Sequence, residues 1–409
     1  MDKMKNVPEI RFKGYEGEWT TCTLNSFTER IVRKNTNNEC SLPLTISAQY
    51  GLIDQNEFFN SRIASKDVSR YYLVRKGEFA YNKSTSDGYP FGVVKRLDKY
   101  PNGVLSTLYI VFNVNEEKVD SDFLTVYFDT NNWHGHISSC AAEGARNHGL
   151  LNISSDDFFK LGVSMPKKES EQKKISKMIT TIDSLISKLE QKLEKLRNIK
   201  QSLLNQMFVN VNRGGYAPLI RFKNQTYHWN EMSAEEIFHT YYDKNHPDLP
   251  VVSASQEYGM VFRDDVGFDV QHDKANEVGY KRVLPGQFVI HLRSFQGGFA
   301  YSEVEGITSP AYTIIEFKDK SQNDGLYWKY VLSSKEFIKR LETVTYGIRD
   351  GRSISFEDFA ELKFMVPQKE EQKQIGKLLL LADCNSRKVE NKITKLSTMK
   401  QSLLQKMFV

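Results

Sequence analysis

The last ten residues of the chain, Lys400 to Val409, read KQSLLQKMFV, and Lys200 to Val209 read KQSLLNQMFV. A chain that writes one helix end twice at this separation builds one structural unit twice. Upstream, PKKESEQKKI opens at Pro166 and PQKEEQKQI at Pro367, so the whole segment recurs after about 200 residues with a one-residue gap. The repeat continues, more faintly, outside these segments. Pro8 begins PEIRFKGYEGEW and Pro218 begins PLIRFKNQTYHW, with Trp19 and Trp229 in matching places. Tyr50-Gly51 matches Tyr258-Gly259, and Lys76-Gly77-Glu78-Phe79 matches Pro285-Gly286-Gln287-Phe288. GARNHGLLNISSDDFFKL (Gly144 to Leu161) parallels GIRDGRSISFEDFAEL (Gly347 to Leu362). Between these landmarks the halves diverge freely, so similar scaffolds carry different faces.

In the first repeated segment, apolar residues fall at Ile175, Ile182, Ile186, Leu189, Leu193, Leu196, Leu203 and Met207. The second keeps the register with Ile375, Ala382, Val389, Ile393, Leu396, Leu403 and Met407. Steps of three and four residues describe a narrow coiled-coil seam, with a strongly charged opposite face. Each segment is expected to form one helix of roughly 40 residues, about 60 Å long at 1.5 Å per residue. The first helix leaves the first globular part and reaches the second. The second must run back to pair with it, which makes the pair antiparallel with an approximate twofold axis. Lys200 and Lys400 occupy seam positions, where a lysine marks a register shift, snorkels outward or meets a partner subunit.

Charge follows the repeat. The formal charge is +5, yet Lys167–Val209 and Gln368–Val409 carry +5 each, so the remainder is at −5. Bulk charge alone would not identify a nucleic-acid binder. The opening MDKMKNVPEIRF lacks the apolar core of a signal peptide, and no run of 18 or more apolar residues follows. A cytoplasmic protein without a membrane anchor is expected. Cys22, Cys40, Cys140 and Cys384 are too scattered for a disulfide scaffold or a structural zinc site.

The parts between the helices hold short runs rich in Tyr, Phe, Val and Ile, such as LYIVFNV (Leu108 to Val114) and AYTIIEF (Ala311 to Phe317). These read as strands. Short helices are expected at Asp122–Thr130, at Gly325–Glu342 and around Asp156–Lys160. The fold class is therefore α+β: two mixed α/β domains separated by an antiparallel coiled coil of two long helices, related by a pseudo-twofold internal repeat. The divisions are 1–165, 166–209, 210–366 and 367–409.

No enzyme motif emerges. GEFAYNKS (Gly77 to Ser84) has Asn82 where a phosphate loop needs its second glycine, and GQFVIHLR in the other half removes even that likeness. His134 and His136 form an HxH pair without further ligands and read as a solvated loop. Basic, polar and aromatic residues interleave at particular places instead. In half one these are Lys83, Ser84, Thr85, Tyr89, Lys95, Arg146, Asn147 and His148. In half two they are His291, Arg293, Ser294, Gln296, Arg349 and Arg352. Arg, Asn, Gln and Lys read base edges, while Ser, Lys and backbone amides hold phosphates. Arg146 matches Arg349, and Lys83-Ser84 roughly matches Leu292-Arg293.

The order of these elements resembles the specificity subunit of type I restriction-modification systems over essentially the whole chain. The opening PEIRF…EW, the EGARNHGLLNISSDDF close of the first domain, the MPKKESEQKKI helix entry and the LLNQMFV and LLQKMFV helix ends carry the resemblance. It implies two target-recognition domains, 1–165 and 210–366, each reading one half of a bipartite, non-palindromic sequence in double-stranded DNA. The helices, 166–209 and 367–409, would then set the spacer and dock two modification (methyltransferase) subunits, which restriction (translocase-endonuclease) subunits join. S-adenosylmethionine, ATP and Mg belong on those partners, with no cofactor or catalysis in this chain. Two readers on one face of DNA sit about one helical turn apart, roughly 34–36 Å, which helices of this length accommodate. Mildly acidic domains imply weak, strongly salt-dependent DNA binding by the chain alone. A specificity subunit of a related modification-only or other restriction system, and a coiled-coil scaffold that binds no DNA, are the alternatives; neighbouring reading frames separate the first from the main reading.

Overall fold

The computed structural model describes residues 6–61, 63–141, 149–209, 217–255, 258–266, 274–291, 298–344 and 355–409. The repeated segments form two helices of 39 residues each, Glu169–Met207 and Lys369–Met407. The chain divides into two units, Met1–Glu190 with Lys392–Val409, and Gln191–Asn391. Each unit therefore holds one globular part, the first turns of one long helix and the last turns of the other.

In the first unit, an antiparallel sheet runs in the order Thr28–Ile31, Ile110–Val114, Phe79–Asn82, Val93–Arg96. Its inward residues are aromatic: Phe79 stacks on Phe112 at 5.3 Å and Tyr81 on Phe158 at 4.7 Å. Such pairs add to burial because the offset ring faces are electrostatically matched. Three two-stranded ribbons complete the unit, of which Thr20–Thr23 with Gly162–Met165 leads directly into the first long helix. The second unit repeats this plan with the sheet Phe238–Tyr241, Thr313–Phe317, Phe288–Ile290, Phe299–Tyr301, and Asn230–Ser233 pairs with Lys363–Val366. Phe238, Phe317 and Trp328 form its aromatic centre.

The motif residues of the helix entry now have physical roles. Glu171 is almost fully buried and takes Arg11 at 2.7 and 3.0 Å; Glu371 takes Arg221 at 2.9 and 2.7 Å. A buried carboxylate needs such a fork, because an unpaired charge there is costly. Gln172 accepts from Asp120 N and donates to the Pro166 carbonyl, and Gln372 does the same with Asp324 N and Pro367. Glutamine suits this place because it has a donor and an acceptor at one tip. Gly376 serves a close approach: a Cβ there would lie 2.9 Å from Tyr327 N.

The helix ends are plugs. Phe408 lies 5.4 Å from Phe123 and 6.1 Å from Trp19 in the first unit, and Phe208 lies 5.6 Å from Tyr327 in the second. Leu404 and Met407 share a core with Ile175 and Ile179, and Met207 shares one with Ile375 and Leu379. In each unit the end of one long helix thus lies beside the beginning of the other, which is an antiparallel arrangement.

Three expectations need correction. Gly325–Glu342 is two helices, Gly325–Leu332 and Lys335–Val344, because Ser334 ends the first and caps the second by accepting from Phe337 N at 3.2 Å. His134 and His136 sit on the helix His134–Cys140, with His134 between Phe91 and Trp133 and His136 bonded to the Asp157 carbonyl at 2.8 Å. Lys200 and Lys400 neither snorkel nor wait for a partner, since each is ion-paired across the helices to Asp383 and Asp183.

Candidate nucleic-acid interface

Five of the expected contact residues lie in or beside one hairpin of the first unit, between Phe79–Asn82 and Val93–Arg96. Lys83, Ser84 and Thr85 continue the first strand beyond the sheet and pair with Gly149–Leu151: Thr85 N donates to Gly149 O at 2.7 Å and Leu151 N to Lys83 O at 2.9 Å. The Thr85 hydroxyl also donates to Gly149 O at 3.0 Å. This ladder ties the hairpin to the chain that directly follows Arg146, Asn147 and His148, which lie outside the described residues. Lys83 is half-buried with its amine 3.4 Å from the Ile153 carbonyl; burial, and then Arg30, lower its pKa. Its carbonyl and amine are thus committed to holding the loop.

Tyr89 closes a turn with Ser86 and is 42% exposed, so its ring is free to meet a ligand. Lys95 is held at 2.7 Å by Asp129, which also lies 3.5 Å from Lys400. Tyr89 and Lys95 line a cleft of about 530 Å³ together with Tyr50, His134, Asp183 and Glu190. Burial lowers the His134 pKa. The three acidic groups offset the lysines, which makes the cleft a place for directional contacts rather than a trap for any polyanion.

In the second unit, the hairpin between Phe288–Ile290 and Phe299–Tyr301 is closed by His291 N donating to Gly298 O at 2.9 Å. The His291 ring is half-buried near Tyr312, at 6.1 Å, and burial lowers its pKa, so a neutral imidazole is favoured. Arg293, Ser294 and Gln296, which follow it, and Arg349 and Arg352 lie outside the described residues.

Two residues were not singled out from the sequence as contacts. Tyr50 and Tyr258 occupy the tips of matching hairpins, Leu44–Ser47 to Gly51–Asp54 and Val252–Ser255 to Gly259–Phe262. Each backbone N–H is held by a serine hydroxyl, Ser47 at 3.2 Å and Ser255 at 3.3 Å, and each is followed by a glycine at positive φ. They are 63% and 54% exposed, and Arg387 lies 5.5 Å from the Tyr258 ring. An aromatic held outward on a pre-formed turn offers a stacking face and a hydroxyl at low entropic cost. The signal was in the sequence, because Tyr-Gly recurs in both halves, but there it served only to align them.

Among the described residues no group of three or more His, Cys, Asp or Glu side chains is placed to hold a metal ion, and no helix is long and apolar enough to cross a membrane.

Residues 229–395 match the family described as "Type I restriction modification DNA specificity domain". The match spans parts of one globular region and the second long helix. Curated protein sequences give no match. Among solved structures, the chain is similar to the S subunit of the type I restriction-modification system from M. genitalium, at 15% identity and a TM-score of 0.62, covering 98% of this chain and 99% of that one. A chain from a structure titled for complex assembly and conformational transition of the type I R-M system is also similar, at 15% identity and a TM-score of 0.50, over 95% of this chain and 97% of that one. At such identities the likeness is one of fold.

Proposed function

We propose that this chain, whose residues 229–395 belong to the type I restriction modification DNA specificity domain family, is the non-catalytic DNA-specificity subunit of a type I restriction-modification complex. Residues 1–165 and 210–366 act as target-recognition domains, each reading one half of a bipartite, non-palindromic site. The helices in 166–209 and 367–409 set the spacer as a coiled coil and dock two modification subunits. Restriction subunits join that assembly in the cytoplasm. S-adenosylmethionine, ATP and Mg act on the partner subunits.

One observation carries the reading: two units share a sheet order, a buried Arg–Glu fork and a helix-end plug, yet differ at the hairpins where the candidate contacts sit. A conserved frame with divergent tips is what two different half-sites require. The hairpins supply hydroxyls, a lysine and an imidazole, groups that bond to base edges and phosphates.

The test is to express the chain with its modification subunit in a host lacking adenine methylation and to map methyladenine by single-molecule sequencing. A split, asymmetric motif with a fixed gap is expected. Replacing residues 1–165 by another such domain should change one half only. Removing a heptad from the first long helix should change the gap and spare both halves. A continuous or palindromic motif, or half-sites altered by the heptad deletion, defeats the proposal.

A further inference from the structure

Each long helix has a second face besides its seam. At about 100° per residue, Lys177 and Lys188 on the first helix point along one flank, and Lys392 and Lys395 point along the matching flank of the second. These four lysines belong to the first unit and are exposed. Leu185 and Met399, 45% exposed each, fall in the same arc of about 80°. The second unit repeats the set with Lys377, Lys388, Lys192 and Lys195, all exposed. There the apolar members are Leu381 and Ile199, 57% and 54% exposed. The acidic residues of the same stretches, Asp183, Glu190 and Glu194 on one helix and Asp383 and Glu390 on the other, fall on the other side of the seam.

Two features mark this flank as an interface. Among the described residues no ion pair joins any of the eight lysines to a carboxylate, whereas the seam lysines are paired. Like charges three residues apart, Lys192 with Lys195 and Lys392 with Lys395, destabilise a helix by a few tenths of a kcal/mol each. Exposed leucine, isoleucine and methionine in the same stripe gain nothing from water. DNA would suit the lysines but leave the apolar groups uncovered, while a protein surface with an apolar centre and an acidic rim suits both.

We infer that the lysine–apolar flank of each unit docks one copy of an acidic-rimmed, apolar-centred protein surface, so that one chain carries two such partners side by side in kind. The inference rests on the proposed function, in which the partner is the modification subunit, and it assigns the face and chemistry of docking.

The test uses the full chain and the purified modification subunit, with binding followed by calorimetry and complex mass by light scattering. Lys→Glu at Lys177, Lys188, Lys392 and Lys395 should reduce the bound copies from two to one, with the affected site weakened about tenfold or more at low salt. Adding the four changes of the second unit should remove the other copy. Leu185→Ser with Met399→Ser should weaken the first site without altering charge. Circular dichroism of each variant should match the parent, since these side chains are exposed. Two copies bound unchanged by the Lys→Glu chain overturn the inference alone, and so does a variant whose only loss is the salt dependence of duplex DNA binding. A parent chain that binds no modification subunit overturns the docking reading itself.

Discussion

Lys400 Nζ lies 2.7 Å from Asp183 Oδ1 on the opposite long helix, and one repeat earlier Lys200 Nζ lies 2.5 Å from Asp383 Oδ1. Both partners of each pair recur in the repeat, so two seam positions that read as misplaced charges are one device used in each unit. A polar pair in an apolar seam sacrifices some stability and excludes alternative registers. Around it the units differ. Lys400 also reaches Asp129, whereas Lys200 lies 5.4 Å from the Tyr330 ring and Asp383 accepts from the Tyr330 hydroxyl at 2.7 Å.

A double-mutant cycle on the second unit tests that pairing. Lys200→Ala and Asp383→Ala are each expected to cost about 1 kcal/mol, a partly exposed pair being worth less than a buried one. The coupling energy should be of similar size, and the swap Lys200→Asp with Asp383→Lys should recover most of the loss. Additive single effects in chemical denaturation would show that the pair is incidental.

The buried forks should cost more to break. Arg221→Ala leaves the Glu371 carboxylate buried beside Trp229, whose indole N–H it accepts at 3.0 Å. A loss of about 3–5 kcal/mol is expected in urea unfolding. Arg221→Lys should recover little, because an ammonium cannot present the fork. Adding Glu371→Gln to Arg221→Ala should recover part by removing the stranded charge. A loss below about 1 kcal/mol for Arg221→Ala would mean that water reaches the carboxylate.

Those forks show why some of the molecule was legible and some was not. The long helices follow from apolar spacing, which directly reports a buried stripe, and LYIVFNV and AYTIIEF gave the strands Ile110–Val114 and Thr313–Phe317. Glu171 and Gln172 were visible as a motif, but their partners Arg11 and Asp120 lie far away in sequence, so their roles needed the fold. His134–Cys140 was missed because its helix carries only one fully buried apolar residue, Ile137, and draws the rest of its packing from ring contacts. At the candidate interface, residue type located the hairpins, while the pairing of Thr85 with Gly149 and the restraint of Lys95 by Asp129 depend on contacts distant in the chain.

That restraint makes Asp129 a test of the reading hairpin. Asp129→Asn releases Lys95 and leaves Lys400 its Asp183 partner. If Lys95 then engages a phosphate, the slope of log K against log salt for duplex DNA should steepen by about 0.9. Asp98→Asn, which removes an exposed partner of Arg96, changes net charge equally and serves as the control. Equal responses of the two variants would assign the effect to general charge and remove Lys95 from the interface.

Buried tyrosines set the alkaline limit of the fold. Burial raises the pKa of Tyr81 and Tyr127 in the first unit and of Tyr327 and Tyr330 in the second, with Asp383 adding to the rise at Tyr330. The folded pKa exceeds the unfolded value of about 10, so the stabilising contribution is complete below that pH and declines as pH rises toward the folded value. Phenolate absorbance should therefore appear in two stages, the second coinciding with loss of ellipticity. Tyr81→Phe removes the hydroxyl that donates to the Phe91 carbonyl at 2.9 Å, at a cost of about 1 kcal/mol near neutral pH. The same change deletes a group that must ionise on unfolding, so the fall in stability across the alkaline range should be shallower than in the parent. Parallel stability curves for Tyr81→Phe and the parent up to the unfolding transition would show that this phenol does not govern the limit.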